Sequence, residues 1–417
     1  MKTRAVIMAG GEGSRLSVLT AKRTKPAVPF AGKYRIIDFA LSNCVNSNLY
    51  DVMVLVQYRP HSLIEHIGAG GPWDLNRDFS GGIRMYTPYR ARFGSDWYVG
   101  TADAVQQNFS FIKRTNPDNI LILSGDHIYA MDYDPMITFH IDHKADMTMA
   151  TIPVMKEEAS RFGIVGVDND YRVKSFVEKP KNPSSTLANM GVYLFNLDVL
   201  DKYLWADSQD DKSTHDFGKD ILPKLVNDGL RIYAYPYSGY WVDVGTISSY
   251  WKAHMDLLMN EPQLKLNDRS WVIHTRTEER PPSKIKSGAI IMDSMISDGC
   301  IIEDGAVIER SILSPGVIIK KDAKIKEAIV LTDTVVENSA IVERSILDKR
   351  ILIGSNARIG SIESEKIVLI GKNSKTPPNL IIEPGATIAN DVVISDFPSL
   401  VIKSNEVIET KRKPYEI

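Results

Sequence analysis

Cysteine is scarce: 417 residues carry two, Cys44 and Cys300. They lie far apart and fit no disulfide framework or metal-ligand spacing. An excess of either charge is also missing. The 50 Lys and Arg stand against 52 Asp and Glu, a net charge of −2, so no basic field is offered to a nucleic-acid backbone or an anionic membrane. A charged substrate must then be handled by a few local groups. No apolar run approaches the roughly 18 residues of a membrane helix. Met1-Lys-Thr-Arg4 leads straight into a strand-like run, without the apolar stretch and small-residue cleavage site of a secretory leader. These absences predict a soluble, cytoplasmic protein with neither nucleic acid nor membrane among its partners. Length alone predicts two domains.

What is present is concentrated near the start, in Met8-Ala-Gly-Gly-Glu-Gly-Ser-Arg-Leu16 followed by Lys22-Arg-Thr-Lys-Pro26. Arg4 to Ala9 is a short apolar run of strand formers, so the glycines leave the end of a buried strand. Open α/β sheets bind ligands there. Gly10, Gly11 and Gly13 let the backbone turn tightly and bring its N–H groups to phosphate oxygens. Arg15 adds a charged fork and Lys25 a mobile point charge for a polyphosphate. A Walker loop would need Gly-Lys-Ser/Thr, and a dinucleotide fingerprint a third glycine where Leu16 stands, so neither fits.

Up to about residue 258, strand-like runs (VMVLVQ from Val52, NILILSGD from Asn119, MTMATIPV from Met147, MGVYLFN from Met190) alternate with helical stretches. This predicts an α/β layered domain with a largely parallel sheet. Ile37, Leu41, Cys44 and Val45 share a helical face that packs on it, which makes Cys44 core filler. Ala69 to Gly94, rich in Gly, Pro, Arg and aromatics, reads as a long functional loop. Trp97 to Val105 opens a helix whose first N–H groups, with Gly100 and Ala102, are expected against a flat base.

A Pro- and charge-bearing segment over 261–286 marks a boundary. Beyond it the grammar changes. Ile302-Glu-Asp-Gly-Ala-Val, Val336-Glu-Asn-Ser-Ala-Ile, Ile353-Gly-Ser-Asn-Ala-Arg and Ile382-Glu-Pro-Gly-Ala-Thr share an aliphatic first and a small fifth residue. Ala306-Val-Ile-Glu-Arg-Ser-Ile-Leu313 recurs almost unchanged from Ala340. Such hexapeptides build parallel β-helices, each forming one face of a coil.

Two carboxylates invite chemistry. Asp126 follows the apolar run NILIL, where a strand's carboxyl end faces the ligand crevice, and Asp243 lies in Tyr240-Trp-Val-Asp-Val-Gly-Thr246. Glu178-Lys179-Pro180 offers an acceptor and a cation at consecutive positions. In an extended strand they would point apart, so they serve one ligand only if the strand ends there, as Pro180 suggests.

Gly-Gly-x-Gly-x-Arg-Leu with its downstream Lys-Pro resembles the signature of the sugar-phosphate nucleotidyltransferases. KRTKPAVPFAGKYRIIDFALSNCVNS, Lys22 to Ser47, resembles one branch of them, the glucose-1-phosphate adenylyltransferases, and the likeness runs through almost the whole chain. The resemblance implies a Rossmann-like α/β catalytic domain with a mostly parallel mixed sheet over 1–260. A linker over 261–286 and a left-handed parallel β-helix over 287–417, for oligomerisation or regulation, follow it. It implies ATP and α-D-glucose 1-phosphate as substrates, ADP-glucose and pyrophosphate as products, and a homotetramer.

Residue by residue, the resemblance gives catalysis to Arg15, Lys25 and Asp126, and Mg2+ to Asp126 and Asp243. The nucleotide falls to Gly10, Gly11, Gly13, Arg15, Lys25, Gly100 and Thr101. The sugar phosphate falls to Tyr98, Gly163, Glu178, Lys179, Asn189, Asp216 and Trp241, with Lys179 on its phosphate. Lys22, Arg23 and Arg35 match contacts for anionic effectors. Asn189 replaces a serine usual in the family, Val242 an arginine, Ala130 a basic residue, and Pro29 a histidine found in some members. His127 and His215 are not needed as bases, because phosphoryl transfer is mostly positioning and electrostatics. The alternatives are a non-catalytic regulatory subunit or another base or sugar. A bifunctional uridylyltransferase and acetyltransferase is disfavoured, since acetyl transfer uses a histidine base and the last histidine, His274, precedes the repeats.

Overall fold

The computed structural model describes residues 1–77, 79–88 and 97–413. Close contacts divide the chain into two compact units made of interleaved stretches. The first comprises Met1–Gly11, Ile37–Trp241 and Leu266–His274. The second comprises Glu12–Ile36, Val242–Lys265 and Thr275–Ile417. Among the described residues no helix is long and apolar enough to cross a membrane.

The first unit is built on a nine-stranded mixed sheet. Its strands are β1 (Thr3–Met8), β2 (Asp51–Leu55), β3 (Gly82–Tyr86), β4 (Asn119–Ser124), β5 (Met147–Pro153), β6 (Gly163–Val167), β7 (Val173–Glu178), β8 (Leu187–Asn196) and β9 (Ile232–Pro236). They run in the order β7-β6-β8-β4-β1-β2-β3, and β5 pairs with β8 and β9. β1 lies parallel to both β2 and β4, with Met8 opposite Leu55 and Ser124. The carboxyl ends of the three strands are therefore level. Ala5, Val6 and Ile7, like Ile120 to Leu123, are fully buried. Both faces are covered, which is why these strands read as continuous apolar runs and not as alternating ones.

The helix Ile36–Asn46 buries Ile37, Leu41 and Cys44 as its periodicity predicts, yet Ser42 and Asn43 are equally buried. Asn43 donates to the Tyr129 carbonyl at 3.2 Å and accepts from Trp271 Nε1 at 3.1 Å. Ser42 Oγ accepts from His274 N at 2.8 Å. Part of the segment read as a linker, Leu266–His274, thus clasps this helix through polar bonds that hydrophobic period does not reveal. The segment 69–94 also departs from the loop expectation. Gly82–Tyr86 is the edge strand β3, parallel to β2, while residues 78 and 89–94 lie outside the described residues.

Among the described residues, the second unit is built on a parallel β-helix of three sheets. Ile302 lies opposite Ile319, then Val336, then Ile353, one coil every 17 residues. The inward aliphatic recurs after six, five and six residues, as Ile302, Ile308, Leu313 and Ile319, all fully buried. A strict hexapeptide would repeat after 18; here one face is one residue shorter. Ala306, Ala323, Ala340 and Ala357, the small residues at the corners, are also fully buried, because no larger side chain fits inside the bend. Each inward Ile contributes roughly 1.5–3 kcal/mol by burial.

One sheet of the helix is covered from outside by the unit's earlier stretches. Its outward Ile312, Ile329 and Ile346 are buried. Ser314 Oγ donates to the Gly32 carbonyl at 2.7 Å and Trp251 Nε1 to the Glu327 carbonyl at 2.9 Å. Gly32 takes φ +81°, and a Cβ there would stand 2.6 Å from Ser297 Oγ, so only glycine fits.

Candidate active site

In the first unit, Gly10 and Gly11 leave β1 beside the end of β4. A Cβ on Gly10 would press on Gln57 Cβ at 3.3 Å, whereas one on Gly11 would meet nothing within 4 Å. Gly10 is thus constrained by packing, and Gly11 opens onto free space. Gly125 packs against β1: its N–H donates to the Met8 carbonyl at 3.0 Å, and a Cβ would stand 2.9 Å from Ile7 Cγ2. That close approach fixes Asp126 at the strand's carboxyl end, as expected. Its carboxylate accepts a hydrogen bond from Ser124 Oγ, lies 3.5 Å from His127 Nε2 and is 30% exposed.

The strand β7 ends at Glu178. Lys179 takes φ +46°, which swings its side chain back so that Nζ lies 2.6 Å from Glu178 Oε1. The strand-end condition is met, and the pair shares one side. The other oxygen, Oε2, is cradled by glycines: a Cβ on Gly163 would stand 2.7 Å from it and one on Gly218 2.8 Å. Asn189 occupies a bulge of β8. Its amide donates to Tyr193 OH at 2.6 Å and its oxygen accepts from Gly191 N at 3.0 Å. The larger amide therefore braces the bulge, a use that a serine is too short to supply. Burial pushes the Tyr193 hydroxyl well above its ordinary range.

Tyr98 is buried in the core, with Asn108 Nδ2 donating to its hydroxyl at 3.0 Å. Trp241 packs edge-on against His127 and Phe162, with ring centroids at 5.1 and 5.3 Å. Its indole N–H is buried with no acceptor among the described residues. The helix Thr101–Gln107 starts as expected after Gly100, but its first N–H groups are not left for a base. Ala102 N and Asp103 N donate to the His215 carbonyl at 2.8 and 3.3 Å. Thr101 Oγ1 donates to Asp216 Oδ2 at 3.1 Å.

In the second unit, Gly13 takes φ +69°, and a Cβ there would stand 2.9 Å from Lys25 Cβ. The turn folds the chain onto Lys25, whose Nζ lies 2.7 Å from Asp243 Oδ1. Lys25 is not the mobile point charge expected from sequence. It is buried, and its side chain is held by a carboxylate 218 residues away. Gly245 makes room for this group: a Cβ there would come within 2.9 Å of both Asp243 oxygens and of Arg15 Nη2. Arg15 itself is exposed. Asp126 in the first unit and Asp243 in the second are each a partly open carboxylate, the kind of hard oxygen donor that Mg2+ takes.

The basic residues of the glycine-loop segment meet the β-helix. Lys22 pairs with Asp391, and Asn390 Nδ2 donates to the Val18 carbonyl at 3.3 Å. Arg23 is buried in a two-pronged pair with Asp348, at 2.9 to 3.0 Å; it is no surface cation. Lys349 and Lys372 join the cluster, and sequence reasoning missed both. Burial, then Arg35 and Arg23, lower Lys349 to about 7. Burial and Arg23 also lower Lys372. Their signal in the sequence was only two lysines on hexapeptide corners.

Comparison with known proteins matches residues 4–260 to the nucleotidyl transferase family. Residues 281–367 match the GlmU-like C-terminal hexapeptide family. A glucose-1-phosphate adenylyltransferase of Thermomicrobium roseum is 56% identical over 297 residues, 71% of this chain and 69% of that protein. Its counterpart in Clostridium perfringens is 53% identical over 298 residues, 72% of this chain and 76% of that protein. One in Bacillus thuringiensis is 49% identical over 302 residues, 72% of this chain and 80% of that protein.

Proposed function

The chain belongs to the nucleotidyl transferase family and, within it, to the glucose-1-phosphate adenylyltransferases, and from that membership we propose that it makes ADP-glucose and pyrophosphate from ATP and α-D-glucose 1-phosphate. It is an enzyme, a nucleotidyltransferase. The observation that carries the substrate reading is the full phosphate-handling set, Arg15, Lys25, Asp126, Lys179 and Asp243. The same completeness argues against a non-catalytic regulatory subunit.

The sugar phosphate's own oxygen, ionised at neutral pH, attacks the α-phosphorus of ATP in line. The new P–O bond forms as the bond to the oxygen bridging to the β-phosphate breaks, and pyrophosphate leaves with that electron pair. No proton has to move, so catalysis is placement of charge. Asp126 and Asp243 would hold Mg2+, which would supply neutralisation of phosphate charge. Arg15 neutralises the departing pyrophosphate. Lys25 holds nucleotide phosphate, exchanging its bond to Asp243 for one to the substrate, with Gly10, Gly11 and Gly13 giving the backbone close access. Gly100 and Thr101 line the base side.

Lys179 takes the sugar phosphate, and Glu178 accepts from sugar hydroxyls. Tyr98, Gly163, Asn189, Asp216 and Trp241 close that pocket. The unpaired indole N–H of Trp241 supports this, since a buried donor without an acceptor costs about 1–3 kcal/mol and a sugar oxygen relieves it.

Lys22, Arg23 and Arg35 form, with Lys349 and Lys372, a site for an anionic metabolite that regulates turnover. We assign catalysis to 1–260, a connecting role to 261–286, and regulation and assembly into a homotetramer to 287–417. The enzyme works in the cytoplasm, at the committed step of bacterial glycogen synthesis. The test is to incubate the pure protein and Mg2+ with glucose 1-phosphate and each nucleoside triphosphate, measuring pyrophosphate. ATP should exceed the others at least tenfold. Preference for another triphosphate, or no turnover, overturns the reading.

A further inference from the structure

The segment 207–218 of the first unit, from the last turn of the helix Leu197–Ser208 to the start of the next helical turn at Phe217, holds a side-chain pair that the reaction does not use. His215 Nδ1 lies 2.8 Å from Asp207 Oδ2, and Asp207 is buried. The other oxygen of Asp207 accepts from Ser213 Oγ at 2.6 Å, and that hydroxyl accepts from His215 N at 2.9 Å. His215 is thus gripped at both its ring and its backbone. The grip is needed because His215 sits at φ +54°, a left-handed conformation that L side chains disfavour.

That conformation aims the His215 carbonyl at the start of the helix Thr101–Gln107, where it accepts from Ala102 N and Asp103 N. No side chain caps this helix, so the carbonyl does so. The contact is tight: a Cβ on Gly100 would stand 2.2 Å from His215 O. The next residue, Asp216, accepts from Thr101 Oγ1, and Phe217 N donates to the same hydroxyl at 2.9 Å. Asp216 Oδ1 in turn accepts from Gly218 N at 2.9 Å, and Gly218 is one of the two glycines against Glu178 Oε2.

We infer that Asp207 and His215 are positioning residues that lock the sugar-side loop, through Asp216 and Gly218, to the nucleotide-side residues Gly100 and Thr101, so that the two substrate pockets are set as one. This rests on the assignment of those residues to the two pockets above. His215 acts by its backbone conformation and Asp207 by holding it there. Neither touches the reacting phosphates, so their loss moves binding and not the chemical step.

The distinguishing experiment is a rescue. Asp207→Asn keeps the volume and loses the charge, and should raise KM for ATP and for glucose 1-phosphate together, about five- to twentyfold, with kcat within about threefold. Glycine takes positive φ without strain, so adding His215→Gly to Asp207→Asn should bring both KM values back to within about threefold of the starting protein. Amide hydrogen exchange at Ala102 and Asp103 should quicken about tenfold or more in Asp207→Asn and slow again in the double variant. A single variant with unchanged KM values overturns the inference. So does a double variant as impaired as the single, which is what a purely structural Asp207 predicts. Absence of ADP-glucose synthesis by the unaltered protein would sink the functional reading instead, while the exchange measurement would still judge the lock.

Discussion

Lys179 in the first unit keeps 62% of its side chain exposed, whereas Lys25 and Arg23 in the second keep 6% and 5%, although each of the three has a carboxylate partner. A phosphate can reach Lys179 from solvent and compete with one exposed hydrogen bond. Any ligand at Lys25 would have to take over a buried ion pair with Asp243. At Arg23 the pair with Asp348 is nearly closed to water. Lys179 is therefore open to a ligand, while Lys25 and Arg23 are first structural groups.

The comparison is broken most severely at the carboxylates. Asp126→Asn should lower turnover by about 10³ or more, since charge neutralisation across the phosphates is lost, and the thermal midpoint should shift little because its carboxylate is 30% exposed. Asp243→Asn should lose turnover similarly and also unfold earlier, since the buried Lys25 loses its ion pair with Asp243. Pyrophosphate release and a melting curve on the two variants separate these outcomes. Near-normal turnover of Asp126→Asn at saturating Mg2+ would remove its assigned role.

Next come the two kinds of cation. Arg23→Ala strips the two-pronged ion pair from the buried Asp348, which keeps the Lys349 N–H as a donor, a loss at the low end of roughly 3–5 kcal/mol to be read from urea unfolding. Lys179→Gln should leave urea unfolding unchanged but raise KM for glucose 1-phosphate by a factor of about ten to more than a hundred, the loss of one charged hydrogen bond. KM for ATP should barely move. An equal effect on both substrates would take Lys179 out of the sugar-phosphate pocket.

Lys22 lies between these cases, exposed yet paired with Asp391. Lys22→Ala should abolish most activation by an anionic glycolytic metabolite while turnover without effector stays within about twofold. Fructose 6-phosphate, fructose 1,6-bisphosphate and pyruvate are the probes, and equal activation of both proteins rules Lys22 out.

The smallest expected effect is on pH. Lys349 is lowered to about 7, while an unfolded lysine titrates near 10.4. Between those values the unfolded chain binds the extra proton, so this group adds stability as pH rises from 7 and withdraws it as pH falls. A bound anion favours the protonated form. Effector affinity should therefore tighten about three- to tenfold from pH 8.5 to 6.5, as Lys349 gains its charge, and Lys349→Met should flatten that dependence.

Much of the fold was legible because its signals are local. β1, β4 and the Gly10-Gly11 exit are read from adjacent residues, as is the end of β7 at Glu178. The β-helix was legible because its rule repeats. Its 17-residue coil was half visible, since Ala306 and Ala340 head matching segments two coils apart, but which face was shortened was not. β3 escaped notice because its short alternation is hidden among Gly and Pro. The role of Leu266–His274 escaped because Asn43 and Ser42 are held by hydrogen bonds and not by an apolar stripe.

The sequence by itself determined the chemistry available here: a glycine turn after a buried strand, separated cations and carboxylates, and a repeat that can only stack. Periodicity and backbone permissiveness are properties of neighbouring residues, so they can be read in order along the chain. Tertiary structure alone decided which charge meets which. Arg23 with Asp348 spans 325 positions and Lys25 with Asp243 spans 218, and nothing along the chain encodes a distance of that kind. Whether a lysine stays open like Lys179, is held like Lys25 or is driven toward neutrality like Lys349 depends on burial and on the charges that folding brings near.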